Sequence, residues 1–494
     1  MRKKIDILLI DPPWYRFFGQ QSSLKPLGLC SLAAILEQNG FNALVYKTDG
    51  RPGEEFLEAV NTTRKYRNYL KRMDDFNDSV WRDVEKNILD HPASIIGIGM
   101  VTAKYRSAVN LAKLIRKNNP KVKIIAGGSH PTLCPEEVLK TKLFDVVVKG
   151  EGERTIVDVM NAFNKEKSFS EIAGISYWDK GKIKHNPDRE LINDLDSLPV
   201  PANHLLINQQ TMLPDDFSYL MASRGCPYHC IFCAAYKIWT RRVRFRKPEN
   251  IIEEIKQIKR KYNPVYFHFQ DDSFTLDRKF VFKFCQLIKN EKLKIRWVCE
   301  TRADLIDEEI AKKIKKAGCF KVVLGAESGN EEILRKIKKH VTSDQIRKAV
   351  AVCKKNHIET SLFFMIGFPW ETEKEIMDTV NFMEELDPQY AVFSVATPYP
   401  ETELYRECQK QGLLTKEPDW GKFFHQSPEM FLTNKMSAKQ TKKLIEMVEE
   451  KFCRHNKKKH RLKLLNPFRM FREVKRIYRQ PKEVLSKVKY ILSK

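Results

Sequence analysis

Three cysteines fall within eight positions of "SRGCPYHCIFCAAY" (223–236), at Cys226, Cys230 and Cys233. A disulfide would leave one of the three thiols over, and a buried structural cysteine needs no such neighbours. Thiolates spaced Cys-x3-Cys-x2-Cys, in a loop holding Gly225 and Pro227, can converge on one soft metal centre. Zinc takes four ligands, and no fourth Cys or His follows at finger spacing. His229, between two of the cysteines, is poorly placed for the same centre. A 4Fe–4S cluster held by three thiolates keeps one iron open, and an open iron can bind a substrate.

The loop must be carried by something rigid. From "FSYLMAS" (217–223) onward, short apolar runs alternate with helical patterns: "VYFHFQ", "IRWVCE", "FKVVLGAE", "SLFFMIG" and "YAVFSVAT". Helices are expected over 249–261, 277–290, 307–317 and 372–386. Six strand–helix units predict a partial barrel with its chemistry at the C-terminal strand ends, and the cysteines directly follow the first strand.

The first part of the chain has the same alternation in a separate series: "IDILLI", "NALVYK", "SIIGIG", "VKIIAGG" and "FDVVVKG", with "LGLCSLAAILEQNG" as a helix stopping at Gly40. This is an α/β, doubly wound, Rossmann-like sheet. Residues 55–93 read as an added helical excursion. A hairpin with its turn at Asp179–Gly181 precedes a Pro-containing connector. The expected domains are 1–190 (Rossmann-like), 191–212 (linker), 213–435 (barrel) and 436–494 (a basic helical extension).

Composition bounds the rest. The chain has 494 residues, too many for one ordinary core, and no run of about 20 apolar residues that could span a bilayer. Its start, "MRKKIDILLIDPPW", is basic then apolar like a signal peptide. The apolar run is short, however, and stops at Asp11 and two prolines, so it reads as a buried first strand. Eleven cysteines in a chain this long, in a cytoplasmic context, indicate thiols or metal ligands rather than a disulfide framework. Of the net charge of +25, residues 451–494 alone supply +14, from sixteen Lys and Arg against two Glu. The basic character is therefore a property of the tail more than of any active site.

"GCPYHCIFC", with Phe232 before the last cysteine, resembles the signature of the radical S-adenosylmethionine (SAM) superfamily. The resemblance implies a partial (β/α)6 barrel and a 4Fe–4S cluster on Cys226, Cys230 and Cys233, whose open iron chelates SAM. Reductive cleavage of SAM then gives a 5′-deoxyadenosyl radical that abstracts hydrogen from a substrate carbon. It further implies that Asp271 and Asp272 of "FQDDSF" hold the SAM amino group and that Arg302 of "ETRAD" pairs with its carboxylate. Glu327 and Ser328 of "GAESGN", with the Gly367–Pro369 turn, would approach the ribose and adenine.

"PLGLCSLAAILEQNGF", "GGSHPT" (127–132) and "KGEGERT" (149–155) resemble the cobalamin-binding domain often fused ahead of such a barrel. That likeness implies cobalamin, in its methyl form for a methyltransferase, with its tail near Gly127, Gly128, Ser129, His130, Glu151, Gly152 and Glu153. No Asp-x-His-x-x-Gly motif offers cobalt a histidine, and His130 is the nearest candidate by position. The related methylthiotransferases need three further cysteines in the first domain, which has only Cys30 and Cys134. The six cysteines from Cys285 onward are scattered and read as structural.

Methyl transfer to an unactivated carbon is the leading outcome. The anaerobic cyclases of tetrapyrrole synthesis share the domain order, and a radical SAM enzyme that ignores cobalamin is a further alternative. A reductant such as flavodoxin or ferredoxin is implied. In the tail, Phe468, Phe471, Val474 and Tyr478, and after Pro481 Val484, Leu485, Val488, Ile491 and Leu492, recur at helical spacing opposite basic residues. This pattern suits the headgroup layer of an anionic membrane and gives a hint of a lipid-like substrate. A basic face packed on the chain's own barrel is the alternative, and nucleic acid is disfavoured, since no base-reading motif accompanies the charge.

Overall fold

The computed structural model describes residues 4–21, 24–50, 55–56, 69–165 and 167–464. The first apolar runs form strands β1 (Ile5–Asp11), β2 (Ala43–Lys47), β3 (Ala93–Gly99), β4 (Lys123–Gly127) and β5 (Val146–Val148). They lie parallel in the order β2-β1-β3-β4-β5. The expected hairpin, β6 (Ile175–Asp179) and β7 (Lys182–His185), adds two antiparallel strands at the β5 edge. Its turn places Lys180 and Gly181 at positive φ, 46° and 79°.

Period-two alternation splits these strands between two cores. Leu8, Ile10, Ile96, Ile98, Ile124 and Ala126 pack on helix α1 (Tyr105–Asn118). Ile7, Leu9, Ile95 and Ile125 face the helices Leu27–Gln38 and Gly152–Lys165 on the other side. Both faces are thus covered, as continuous apolar strands require. The strand order reverses at β1/β3, which opens a crevice at their carboxyl ends.

The second series forms β8 (Tyr219–Leu220), β9 (Phe267–Phe269), β10 (Trp297–Thr301), β11 (Cys319–Glu327), β12 (Glu359–Ile366) and β13 (Tyr390–Val395). All are parallel and lie in sequence order, an open six-stranded barrel. Outward residues of the strands meet the surrounding helices in one core, where Phe269, Phe274, Phe284 and Trp297 stand with ring centroids 4.7 to 5.7 Å apart.

The barrel's last strand would be an open edge, a liability for any sheet. Helix α2 (Ala438–Leu464) covers it: the buried Asn456 amide donates to the carbonyl of Ala391 (2.8 Å) and accepts from its N–H (2.9 Å). Phe452 packs between Phe364 and Phe393. The segment expected as the start of a tail is therefore, to Leu464, a wall of the barrel. The two amphipathic helices expected around Pro481 lie outside the described residues. No helix among those residues is long and apolar enough to cross a membrane.

Candidate functional site

β8 is far shorter than "FSYLMAS" predicts, for a physical reason. At Ala222 and Ser223 the backbone N–H groups leave the sheet ladder and donate to the Asp271 carboxylate at the end of β9. The Ser223 hydroxyl donates to the same oxygen at 2.6 Å. Asp271 is buried, and burial pushes its carboxyl up to about 7 against the lowering effect of these donors. Its oxygens are spent on aiming the chain out of the barrel, so it is not the free ligand for the SAM amino group that the sequence suggests.

A two-residue antiparallel ribbon, Ser223–Arg224 with Arg244–Phe245, then closes the cysteine loop at its base. Gly225 turns the chain at φ +105°, where a Cβ would lie 2.4 Å from the carbonyl oxygen of Arg242. Only glycine fits there. The loop is pinned further along: Ile231 N–H donates to the Ile337 carbonyl, and its own carbonyl accepts from Leu404 N–H.

All three thiols of this loop are half-buried, while seven of the other eight cysteines are fully buried. Burial pushes each of them up, Cys233 to about 12. The three are near neighbours: Cys226 and Cys230 both act electrostatically on Cys233, and Cys230 acts on Cys226. A four-iron cube binds each of its thiolates at a different iron.

Other strand ends meet the loop. The Arg302 guanidinium lies 3.5 Å over the Tyr228 ring and bonds to Asp304 (2.9 Å) and to the Lys339 carbonyl (2.8 Å). Glu327 sits at positive φ (60°) beside a register shift in β11, and its carboxylate accepts from the buried Lys339 ammonium at 2.7 Å. Strained non-glycine backbone of this kind concentrates at binding sites. Asp272, exposed at the mouth, is close enough to Cys226 and Cys233 to act on both electrostatically, as are Lys339 and Glu327 on Cys230. Ser328 is fully buried with its hydroxyl 2.9 Å from Thr379 Oγ1. Gly367 has φ +86° and Pro369 is buried; their turn is held by Glu371, which accepts from Gly367 N–H (2.6 Å) and Phe368 N–H (2.9 Å). Burial raises the Glu371 carboxyl to about 8.

A cavity of about 660 Å³ runs from the crevice of the first sheet to the base of the cysteine loop, at Arg224 and Trp239. Its walls include Asp11, Gly99, Gly127, Gly128, Ser129 and Gly152 on one side, and Arg224, Trp239 and Gln270 on the other. Most of its lining is carbon, and the volume is in the range of small-molecule and cofactor sites. Gly128 stands at φ +110°, where a Cβ would meet the Met100 carbonyl oxygen at 2.6 Å, whereas a Cβ on Gly127 meets only Val148, at 3.9 Å. Gly127→Leu is therefore expected to fill the cavity without breaking the fold. Cobalamin content should fall at least several-fold while iron content holds, measured by the corrin spectrum and iron assay.

Two sequence expectations are corrected at this cavity. His130 does not line it: the ring is fully buried between Tyr105 and Trp420, with centroids 4.5 and 5.3 Å away. Glu151 and Glu153 do line it, but their charges are already paired. Glu151 accepts from Arg224 (2.7 Å), Arg244 (2.9 Å) and Ile192 N–H (2.7 Å); Glu153 pairs with Arg224. These buried ion pairs join the first sheet to the base of the cysteine loop. Arg224, Arg244, Lys339 and Glu371 had no local signal in the sequence; each is defined by a partner far away or by burial.

The fold and the loop together define an iron–sulfur barrel fused behind a doubly wound domain, and comparison with known proteins agrees. Residues 220–383 match the model of the radical SAM superfamily and residues 69–160 that of the B12 binding domain. The chain belongs to the radical SAM superfamily, among the enzymes that carry a B12 binding domain. An uncharacterized methyltransferase of Pyrococcus horikoshii is 34% identical over 370 residues, 74% of this chain and 80% of that one. The anaerobic magnesium-protoporphyrin IX monomethyl ester cyclase of Rubrivivax gelatinosus is 27% identical over 340 residues, 67% of this chain and 61% of that one. The cobalamin-dependent S-adenosylmethionine radical enzyme OxsB, solved with aqua-cobalamin and SAM bound, superposes with a TM-score of 0.70 at 18% identity, over 98% of this chain and 72% of that one.

Proposed function

We propose that this enzyme transfers a methyl group to an unactivated carbon, using a 4Fe–4S cluster, SAM and cobalamin. The observation that carries the proposal is the cavity itself. Its far wall is the glycine-lined crevice of the first domain and its near wall is the base of the cysteine loop, so one large cofactor there would adjoin the site of SAM cleavage. The residues fit the groups: three half-exposed thiols for the cluster, and a largely apolar, glycine-edged cavity for the corrin. When bound, the cluster and SAM supply a primary carbon radical and cobalamin supplies the methyl group.

The chain's own residues position and enclose. Cys226, Cys230 and Cys233 hold the cluster, and Ile231 and Gly225 fix their loop. Arg302, stacked on Tyr228, and Lys339, paired with Glu327, place two cations beside it that favour the carboxylate of SAM and bound thiolate over neutral thiol. Asp272, exposed at the mouth, is the free carboxylate there for the SAM amino group. Gly127, Gly128 and Gly152 bring backbone rather than side chain to the cobalamin, and Ser129 brings a small hydroxyl. Glu151 and Glu153, on the cavity wall, hold the two domains in register through Arg224 and Arg244.

With reductant, SAM and cobalamin supplied anaerobically, S-adenosylhomocysteine should accumulate beside 5′-deoxyadenosine, and should be absent without cobalamin. The likeness to the cyclase favours a second reading, in which 5′-deoxyadenosine forms with cobalamin present and no S-adenosylhomocysteine appears at all. Flavodoxin or ferredoxin is the expected reductant in a cytoplasmic setting. For residues 465–494, the charge pattern supports contact with anionic membrane. Full-length protein should co-sediment with anionic liposomes at low salt and protein truncated at Leu464 should not; full-length protein left in the supernatant would end the membrane reading and the case for a lipid-like substrate.

A further inference from the structure

We propose that His130, Cys134 and Glu137 form a second metal site, for a divalent ion of zinc's borderline-soft class, at the contact between the first domain and the segment around Trp420. One ligand atom from each lies within 4.8 Å of the other two, and no other such trio occurs among the described residues. Their spacing, i, i+4 and i+7, follows one face of a helical run. That run is interrupted at Cys134 (φ −131°, ψ 56°), between the short helices Ser129–Leu133 and Pro135–Lys140.

His130 carries the second observation. The residue is wholly buried, its Nδ1 is 3.2 Å from the Thr102 hydroxyl, and its Nε2 has no hydrogen-bond partner. A hydroxyl accepting from Nδ1–H leaves the lone pair on Nε2, the tautomer that metal-ligating histidines adopt when the other nitrogen is hydrogen-bonded. A buried ring nitrogen with no partner is costly, and a cation would supply one.

Around it, the half-buried Cys134 and Glu137 each bring one ligand atom within 4.8 Å of a ring nitrogen of His130 and of each other. Trp420, 283 residues away, donates its indole N–H to Glu137 Oε2 and leaves Oε1 for the ion. One nitrogen, one sulfur and one oxygen suit a tetrahedral zinc-type site with water in the fourth position, not an iron–sulfur cluster. His130 lies outside the interdomain cavity, so the site is separate from that of cobalamin. Its effect would be to rigidify the broken helical run under Trp420, and so the docking of the first domain on the barrel.

The test uses full-length protein with its cluster reconstituted, dialysed anaerobically against micromolar zinc and analysed for metals. About one zinc per chain is expected alongside the cluster iron. Cys134→Ser and His130→Gln should each lose the zinc and keep the iron, and zinc should raise the melting temperature of the wild type alone. If the Cys134 variant loses iron as well, Glu137→Gln decides, since it keeps the indole hydrogen bond while removing the charge. A wild type that binds no zinc under these conditions, or a Glu137 or Cys134 variant that binds it as well as wild type, would overturn the site.

Discussion

Replacing Cys226, Cys230 or Cys233 by Ala is expected to remove the visible absorbance of the iron–sulfur cluster and to abolish SAM cleavage. With each sulfur assigned to a different iron, two remaining thiolates would not keep the cube in a half-exposed loop, and without a cluster no electron would reach SAM. The expected loss of 5′-deoxyadenosine formation is complete rather than graded. Ala at Cys285, Cys299 or Cys353, which are buried in the barrel core, should cost stability and leave the iron content per folded chain unchanged. Iron assay, the visible spectrum and product chromatography on the same preparations check this. A full cluster in two of the three loop variants would refute the ligand assignment.

The second large effect belongs to Glu151. It accepts from both Arg224 and Arg244, and the paired atoms are almost wholly buried, with side-chain exposures of 3%, 11% and 3% in that order. Glu151→Ala leaves the buried Arg244 guanidinium without a counter-ion and Arg224 with Glu153 alone, and breaking a buried pair from one side costs about 3–5 kcal/mol. Because Arg224 is two residues before Cys226, the damage should reach the cluster: lower unfolding free energy in urea, together with reduced iron loading. Glu136→Ala removes an exposed partner of Lys140 and should leave both unchanged. Restoring volume without charge, by Glu151→Gln, should recover only part of the loss. An alanine variant as stable as wild type would show that these pairs do not join the domains.

How far the residue pattern alone reached follows the range of each interaction. The cysteine loop was legible because its chemistry is local: three ligands in eight positions, with the turn-forming Gly225 beside them. The two sheets were legible because parallel strands covered on both faces read as unbroken apolar runs, and the helices between them end in recognisable stops. The pairing of Glu151 was missed for the opposite reason. Its partners lie 73 and 93 residues away, so "KGEGERT" looks like a ligand-binding strand end when its carboxylates are satisfied by arginines of the next domain. Asp271 was misread in the same way, since nothing in "FQDDSF" tells which of two adjacent aspartates points at backbone and which at the mouth. Asn456 could not be found at all, because covering an edge strand leaves no periodic trace.

The central claim is that the cysteine loop holds a cluster that cleaves SAM beside a cobalamin in the interdomain cavity. It is tested most directly by anaerobic reconstitution with iron, sulfide and cobalamin, followed by reduction with SAM present and separation of the nucleoside products. Wild type is predicted to yield 5′-deoxyadenosine, and S-adenosylhomocysteine only when cobalamin is bound, while Cys230→Ala yields neither. Protein that carries a full cluster and bound cobalamin yet leaves SAM intact under strong reductant would contradict the account.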